Sequence, residues 1–227
     1  MQAWSVVTGA SRGIGREWVR QLAEAGHRVV AAVRDPSGAN ARKLAVMDRV
    51  EVLPLDVAEE GSISAFAEAL GNRPVGLLVN NAGISGRYGG LDLESQAQLL
   101  DVYRVNAAGP LLLVKALLPS LRAARGARVV HVTSTMGSMG DGPSGGAYAY
   151  RMSKAALNMA CANLAADLGD VFSTVVLCPG WVRTDMGGPG AATSVEESVT
   201  GMLKVVDRMD ASMNGRFFNF RGQEVPW

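Results

Sequence analysis

The chain reads Thr8-Gly9-Ala10-Ser11-Arg12-Gly13-Ile14-Gly15 between an apolar segment, Ala3–Val7, and a segment with apolar residues at helical spacing, Ile14–Ala25. The first segment predicts a buried strand and the second an amphipathic helix. Glycines in such a turn permit a tight bend and a close approach of the backbone to a ligand, and the N–H groups that open a helix bind phosphate. The alternative to a phosphate-binding turn is an ordinary turn between a strand and a helix. We expect a pyrophosphate to be held by Gly9, Ser11, Arg12, Gly13, Ile14 and Gly15.

The same alternation of strand and helix continues along the chain. The predicted strands are Ala3–Val7, Arg28–Val33, Val50–Leu55, Val75–Val79, Ala127–Thr133, Ser173–Leu177 and Arg216–Phe220. The predicted helices are Ile14–Ala25, Ser62–Leu70, Leu93–Arg122, Tyr148–Leu168 and Val195–Met209. Strands that are apolar on both faces are typical of a parallel sheet covered by helices on both sides. The pattern predicts an α/β fold with a single doubly wound, Rossmann-type parallel sheet of about seven strands and a ligand crevice at their carboxyl ends.

Composition indicates a globular protein and limits its partners. The 227 residues are 48% hydrophobic and 19% charged, and no Pro/Gly/Ser-rich linker divides them, so we expect one domain over residues 1–227. The net charge of +1 comes without a basic block, and we expect no nucleic-acid partner. The longest apolar segment, Gly109–Leu118, is interrupted by Lys115 and is shorter than the roughly 18 residues of a membrane span. The N-terminus reads as a strand rather than a signal peptide. We therefore expect a cytoplasmic protein without a membrane segment.

The histidines and cysteines form no metal-binding pattern. His27 and His131 are the only histidines, and neither has a nearby cysteine or paired carboxylates. Cys161 and Cys178 lie in apolar surroundings and are not part of a CxxC motif. We expect no metal site and two buried thiols.

Polar motifs follow several predicted strands, and one pair of residues stands at the start of a predicted helix. The motifs are Leu55-Asp56-Val57, Asn80-Asn81-Ala82-Gly83, Val132-Thr133-Ser134 and Pro179-Gly180-Trp181-Val182-Arg183-Thr184. Tyr150 and Lys154 are four residues apart, so they share one face of that helix. A phenol ordinarily has a pKa of about 10, and a neighbouring ammonium favours its anionic form. Such a pair suits proton transfer.

These motifs, with the GxxxGxG spacing of the glycine turn, resemble the short-chain dehydrogenase/reductase family along nearly the whole chain, from Val6 to Trp227. Within the family, the segment Ala149–Asn158 and the ending Pro226-Trp227 are similar to the group of the bacterial C-factor and the sniffer-type carbonyl reductases. The resemblance implies an enzyme that interconverts a carbonyl compound and an alcohol by hydride transfer from or to a nicotinamide cofactor. A second hypothesis is a nucleotide-binding signalling or redox-sensing protein with little turnover.

The resemblance also implies a catalytic set. Tyr150 is the general acid/base, Lys154 supports it and holds the nicotinamide ribose, Ser134 polarises the substrate carbonyl, and Asn106 holds a water against the lysine. Ser138 is the rival of Ser134, because the interval from Ser134 to Tyr150 is longer than the family pattern. The loop between them, Thr135–Gly146, is expected to bulge.

Further residues are implied to contact the cofactor. Asp56, followed by Val57, is implied to bind the adenine ring, and Thr184 the carboxamide. The remaining residues border the nicotinamide or its ribose: Asn81, Ala82, Gly83, Pro179, Gly180 and Val182.

The end of the second predicted strand indicates that NADP(H) is preferred over NAD(H). The acidic position of NAD-selective sites falls on Val33, and the next residue is Arg34. Arg34 and Arg12 are both placed to pair with a 2′-phosphate. A register shift of two residues would instead make Asp35 the ribose ligand and leave NAD(H) as the alternative.

We expect a small, apolar or aromatic carbonyl substrate, because Trp181, Met136, Met139, Met152 and Met186 occur in segments predicted near the crevice. Core packing is the alternative role for the methionines, and Arg183 is the exception that would recognise an anion. Family members pair through the two long helices, here Leu93–Arg122 and Tyr148–Leu168, so we expect a homodimer or homotetramer.

Overall fold

The computed structural model describes residues 3–227, and its centre is a seven-stranded sheet. The strand order is β3-β2-β1-β4-β5-β6-β7, and all neighbouring strands are parallel. The strands are β1 Trp4–Thr8, β2 Arg28–Val33, β3 Val50–Pro54, β4 Val75–Asn80, β5 Ala127–Val132, β6 Phe172–Cys178 and β7 Arg216–Asn219. This order confirms the predicted doubly wound sheet.

Seven α-helices of the described chain cover the two faces of the sheet. They are α1 Gly13–Glu24, α2 Ala39–Ala45, α3 Glu60–Leu70, α4 Gln96–Tyr103, α5 Gly109–Arg122, α6 Tyr148–Leu168 and α7 Val195–Asp207. On one face of the sheet, α1, α2 and α7 contribute the buried core side chains Trp18, Leu44 and Met202, respectively. Phe66 and Leu117 bury α3 and α5 in the core on the other face. Because apolar side chains cover both faces of the strands, the near-continuous apolar strand sequences are explained.

The structure corrects the predicted single helix Leu93–Arg122. A short 3₁₀ turn, Leu91–Leu93, precedes α4, and a π-helical segment, Arg104–Ala108, joins α4 to α5. Pro110 has no N–H to offer the carbonyl group four residues earlier, which disfavours regular α-helix at this point. The helix α2 was not predicted. The predicted helix Tyr148–Leu168 has the observed bounds, and the remaining three predicted helices differ from the observed ones by one or two residues at their ends.

A crevice opens where β1 and β4 lie side by side, because the chain leaves these two strands in opposite directions across the sheet. Two glycines of the turn after β1 have no room for a side chain. A Cβ at Gly15 would lie 2.3 Å from the Gly9 carbonyl oxygen, and a Cβ at Gly9, where φ is +62°, would lie 2.9 Å from Ala82 Cα. The turn thus needs glycine for both conformation and space.

Among residues 3–227, none of the helices combines the length and the apolar character that crossing a bilayer requires.

Candidate active site

A cleft of about 1410 Å³ lies at the carboxyl ends of the strands. Ser134, Tyr150 and Lys154 line it, and Asn106 lies behind its wall. All the other residues predicted to bind the cofactor also line it: Gly9, Ser11, Arg12, Gly13, Ile14, Gly15, Arg34, Asp56, Val57, Asn81, Ala82, Gly83, Pro179, Gly180, Val182 and Thr184. The fold therefore brings together residues from the ends of six strands, β1 to β6.

Thr8 joins the glycine turn to the segment after β4. Its hydroxyl oxygen accepts hydrogen bonds from the backbone N–H groups of Asn81 and Ala82, both at 3.0 Å. The Asn81 side chain donates back to the Thr8 carbonyl at 2.9 Å. These bonds hold the two loops at the switch point together. Sequence reasoning had not given Thr8 a role.

Arg12 stands at the N-terminus of α1, where no side chain caps the helix. The backbone N–H groups of this turn are thus available to an anion. The Arg12 guanidinium pairs with the Asp185 carboxylate at 3.0 Å, in the loop after β6. The same two loops meet at Gly13, where a Cβ would lie 3.4 Å from Thr184.

The end of β2 has the register expected for NADP(H). Val33 is the last residue of the strand and is buried in the core, whereas Arg34 is exposed and lines the cleft. Asp35 also lines the cleft, but its carboxylate accepts hydrogen bonds from the Ser37 backbone N–H at 2.9 Å and hydroxyl at 2.6 Å. These bonds hold the pKa of Asp35 below its usual value. Asp35 is therefore occupied in a local turn before α2.

Asp56 combines a loop role with its place on the cleft wall. Its carboxylate accepts a hydrogen bond from the Ala58 backbone N–H at 2.9 Å, and its own N–H donates to the Ser62 hydroxyl at 2.9 Å. The side chain is thereby fixed at the end of β3.

Tyr150 and Lys154 lie on the first turns of α6 and are both buried. The Lys154 ammonium lies 5.6 Å from the centre of the Tyr150 ring and donates a hydrogen bond to the Val132 carbonyl at 2.8 Å. Since Val132 ends β5, this bond ties the catalytic helix to the sheet.

The two candidate serines have different surroundings. Ser134 lines the cleft close enough to Tyr150 to lower the pKa of the phenol, and its hydroxyl accepts a hydrogen bond from the Met136 N–H at 3.1 Å. The Ser138 hydroxyl instead donates to the Pro226 carbonyl at 2.6 Å and accepts from the Asp141 N–H at 2.9 Å. Ser138 is buried away from the cleft, so the geometry favours Ser134 as the carbonyl-polarising residue.

Burial is the largest influence on the pKa of both Tyr150 and Lys154. Burial raises the pKa of Tyr150, nearby Tyr88 and Cys178 act in the same direction, and the hydrogen bond with Ser134 opposes them. Burial also lowers the pKa of Lys154 to about 8. Burial thus disfavours the charged form of both groups, the phenolate of Tyr150 and the ammonium of Lys154. At neutral pH the pair consists of a protonated phenol and an ammonium group.

Asn106 is fully buried in the π-helical segment. Its side-chain oxygen accepts from the Ile84 N–H at 2.9 Å, and its amide donates to the Ile84 carbonyl at 2.8 Å and to the Ser153 hydroxyl at 3.0 Å. A Cβ on Gly83 would lie 3.2 Å from the Asn106 oxygen and 3.7 Å from Lys154 Nζ. The asparagine is therefore held close to the lysine, although it does not line the cleft.

The sequence had assigned no role to several residues of the site. The Tyr88 ring lies 6.4 Å from the Tyr150 ring, centre to centre. Thr133 donates to the Asn158 side chain at 2.7 Å, and Asn158 donates to the Gly137 carbonyl at 3.1 Å, which fixes the loop after β5 against α6. Periodic patterns do not report such contacts between distant segments.

The predicted apolar lining is present in part. Met136, Met186 and Trp181 line the cleft, whereas Met139 and Met152 are exposed elsewhere. The two cysteines are free and buried, as predicted, and Cys178 is also part of the cleft wall.

The loop after β6 is anchored by its own backbone. The Trp181 indole N–H donates to the Gly187 carbonyl at 2.8 Å. The Arg183 guanidinium donates to the carbonyls of Ala191 and Ala192, both at 2.9 Å. Arg183 thus has a structural role in this loop besides lining the cleft.

A family model described as "short chain dehydrogenase" matches residues 3–194. The C-signal of Myxococcus xanthus is 50% identical over 164 residues, which cover 72% of this chain and 99% of that protein. The NADPH-bound carbonyl reductase from chicken fatty liver is 37% identical with a TM-score of 0.92, and both chains are covered over 100%. The carbonyl reductase Sniffer of D. melanogaster has the same TM-score of 0.92 at 28% identity and the same coverage. These are the groups to which the sequence motifs predicted a resemblance.

Proposed function

The chain belongs to the short-chain dehydrogenase family, and from this premise we propose that it is an NADP(H)-dependent carbonyl reductase, interconverting an aldehyde or ketone with the corresponding alcohol. One observation carries the proposal: Ser134, Tyr150 and Lys154 face the same cleft as the glycine turn. A proton donor, a carbonyl-polarising hydroxyl and a dinucleotide cradle then serve a single reaction.

The residues of the cleft fit NADP(H). The backbone of the glycine turn packs directly against the segment after β4, and the N-terminus of α1 beside it has no side-chain cap, so its N–H groups suit a phosphate. Arg34 and Arg12 are two exposed guanidinium groups on the cleft wall, suited to a 2′-phosphate. Asp56 suits the adenine, and Thr184 suits the carboxamide. The structures of carbonyl reductase with NADPH bound, and of a Burkholderia multivorans family member with NADP bound, support the same cofactor. When bound, the cofactor supplies or accepts a hydride at the carbonyl carbon.

The chain's own residues handle the proton. Ser134 donates a hydrogen bond to the substrate carbonyl oxygen and polarises it. Tyr150, a phenol that is protonated at neutral pH, transfers its hydroxyl proton to that oxygen. The Lys154 ammonium stabilises the resulting phenolate, and Asn106 positions the path along which the proton is replaced. In the direction of oxidation the phenolate accepts the proton of the alcohol.

The substrate proposed for this site is aromatic or apolar around the reacting carbonyl. Tyr88, Met136, Trp181 and Met186 supply apolar surface along the cleft. Aromatic and thioether side chains adapt to flat or irregular apolar groups.

The two long helical regions beside the site are proposed to pair two copies of the chain. Leu100, Tyr103 and Leu111 on α4 and α5 are exposed, as are Met152 and Met159 on α6. Sedimentation of the purified protein tests this proposal: a dimer or tetramer supports it, and a monomer contradicts it.

The second candidate is a nucleotide-binding signalling protein with little turnover, and the similarity to the C-signal favours it. The reductase explains the cleft better, because a binding protein has no need for Ser134 beside a buried, protonated Tyr150.

A panel of aldehydes, ketones and quinones, incubated with the protein and NADPH, tests the proposed function. We expect NADPH oxidation and formation of the alcohol with at least one aromatic member. Tight NADPH binding without turnover of any member would favour the signalling candidate.

A further inference from the structure

A second cavity adjoins the cleft and is not used by the chemistry described above. It has a volume of about 540 Å³ and lies between Tyr88–Gly90 and Ser144–Ala147, with Met136 and Arg151 completing its wall. We call it the Arg151 cavity. It shares Tyr88 and Met136 with the cleft, so a substrate whose carbonyl group lies at Tyr150 can extend into it.

Arg151 brings a positive charge to this cavity without a negative partner. Its guanidinium donates to the Gly146 carbonyl at 3.1 Å, the Met136 carbonyl at 3.4 Å and the Ser144 hydroxyl at 2.8 Å. All three acceptors are neutral, and no ion pair of the described residues includes Arg151. A guanidinium has five N–H donors, so two remain for a ligand.

The remaining donors of the Arg151 guanidinium are not used by a carboxylate of the described chain. None of the side chains lining the Arg151 cavity, as far as residues 3–227 are described, is acidic. Glu94 reaches the same end of α6, but its carboxylate accepts from the Ala149 N–H at 3.3 Å and from the Gln98 amide at 2.7 Å. Glu94 lines neither cavity.

We propose that the Arg151 cavity holds the far end of the carbonyl substrate and that Arg151 selects substrates with an anionic group, such as a carboxylate, at that end. This rests on the proposed reductase function and names its substrate class. Tyr88 and Met136 contact the apolar middle of the substrate, and the three bonds of Arg151 keep its guanidinium fixed for a charge-assisted hydrogen bond. The sequence had indicated Arg183 for an anion, but two bonds to the loop after β6 hold that side chain in place.

The test compares para-formylbenzoate with its methyl ester, which has nearly the same shape and no charge. For the unmodified protein with NADPH, we expect kcat/KM to be higher for the carboxylate by about tenfold, the effect of one hydrogen bond to a charged group. Arg151→Gln should reduce this ratio to near one, and Arg151→Lys should retain part of it. Loss of loop order alone would slow both substrates and leave the ratio unchanged.

Arg183→Gln serves as the competing variant. The proposal is overturned if Arg151→Gln keeps the higher kcat/KM for the carboxylate, or if Arg183→Gln loses it instead. It is also overturned if the unmodified protein reduces the carboxylate and the ester with equal kcat/KM. A second readout needs no turnover: the NADPH complex should bind para-(hydroxymethyl)benzoate more tightly than its methyl ester, and only while Arg151 is present. If no aldehyde is reduced, the proposed function fails, whereas equal binding of these two alcohols is failure of the Arg151 proposal alone.

Discussion

The guanidinium of Arg12 and the carboxylate of Asp185 lie 3.0 Å apart and join the glycine turn to the loop after β6. Both side chains are about three-quarters exposed, at 68% and 76%. Because Arg12 also suits the 2′-phosphate of NADP(H), the carboxylate competes with the cofactor for the same cation. We therefore expect the pair to oppose NADPH binding.

Asp185→Asn should increase the affinity for NADPH by about two- to fivefold, which is the range of an exposed ion pair. The affinity for NADH, which has no 2′-phosphate, should change less. The test is to measure the dissociation constants of NADPH and NADH at low salt for the unmodified protein and for Asp185→Asn. Asp48→Asn, an exposed position that does not line the cleft, is the control for the change in net charge. Weaker NADPH binding by Asp185→Asn would mean that the ion pair helps to hold the cofactor.

Arg34→Ala should weaken NADPH binding by about tenfold or more and leave NADH binding nearly unchanged, because a charge-assisted bond to the 2′-phosphate is lost. Arg42→Ala on the exposed side of α2 is the matched control, since Arg42 does not line the cleft. Equal affinities for the two cofactors in the unmodified protein would contradict the assignment of Arg34. So would an Arg34→Ala variant that still prefers NADPH.

The stability of the protein should fall in mild acid because of His131. This side chain is fully buried in β5, and burial lowers its pKa to about 3, with the charge of Lys154 acting in the same direction. The unfolded chain takes up a proton near the ordinary pKa of 6.5, whereas the folded chain does not. Stability is therefore lost as pH falls below the unfolded value, by about 2 kcal/mol between pH 7 and pH 5.

Urea unfolding at the two pH values measures this change. His131→Asn should remove most of the pH dependence, even if the variant is less stable throughout, and His27→Asn on the exposed surface should not. A His131→Asn variant with the same slope would show that other groups cause the loss.

Lys154→Met should reduce turnover by about a hundredfold or more, the usual scale of general acid–base assistance, and should also weaken NADPH binding. The first effect follows from loss of the ammonium beside Tyr150, and the second from loss of the bond to the nicotinamide ribose. Thermal unfolding of the variant measures the structural effect separately, because the substitution removes both a buried charge and the hydrogen bond to the Val132 carbonyl. Loss of turnover with unchanged NADPH affinity would limit the lysine to the proton transfer.

The sheet and most of the site were predictable because they depend on local patterns. Apolar strands such as Val29–Val33 have to be buried on both faces, and a glycine turn between a strand and a helix suits a phosphate, although an ordinary turn has the same pattern. The helix α2 escaped notice because it has only seven residues, with Ala41 and Leu44 as its buried positions. The π-helical segment is followed by Gly109, which packs against Val57 so closely that a Cβ would lie 2.3 Å from the carbonyl oxygen, and a sequence pattern does not report such a contact.

Other properties of the site arise only from the tertiary structure. Tyr88 and Arg151 meet around one cavity from segments far apart in sequence, and no spacing rule connects them. The raised pKa of Tyr150 depends on how completely the fold buries it, which the four-residue spacing to Lys154 does not reveal. The hydrogen bond between Asp35 and Ser37 joins residues that are close in sequence. The sequence alone nevertheless does not show whether Asp35 makes this bond in a turn or binds the cofactor ribose, and only the folded structure decides.

The central claim is that Tyr150 is the proton donor of a carbonyl reductase, and Tyr150→Phe tests it most directly. The variant keeps the ring beside Tyr88 and removes only the hydroxyl group. With an aldehyde that the unmodified protein reduces, we expect turnover to fall by about a hundredfold or more while the NADPH dissociation constant stays within about twofold. Near-normal reduction of the aldehyde by Tyr150→Phe would contradict the account.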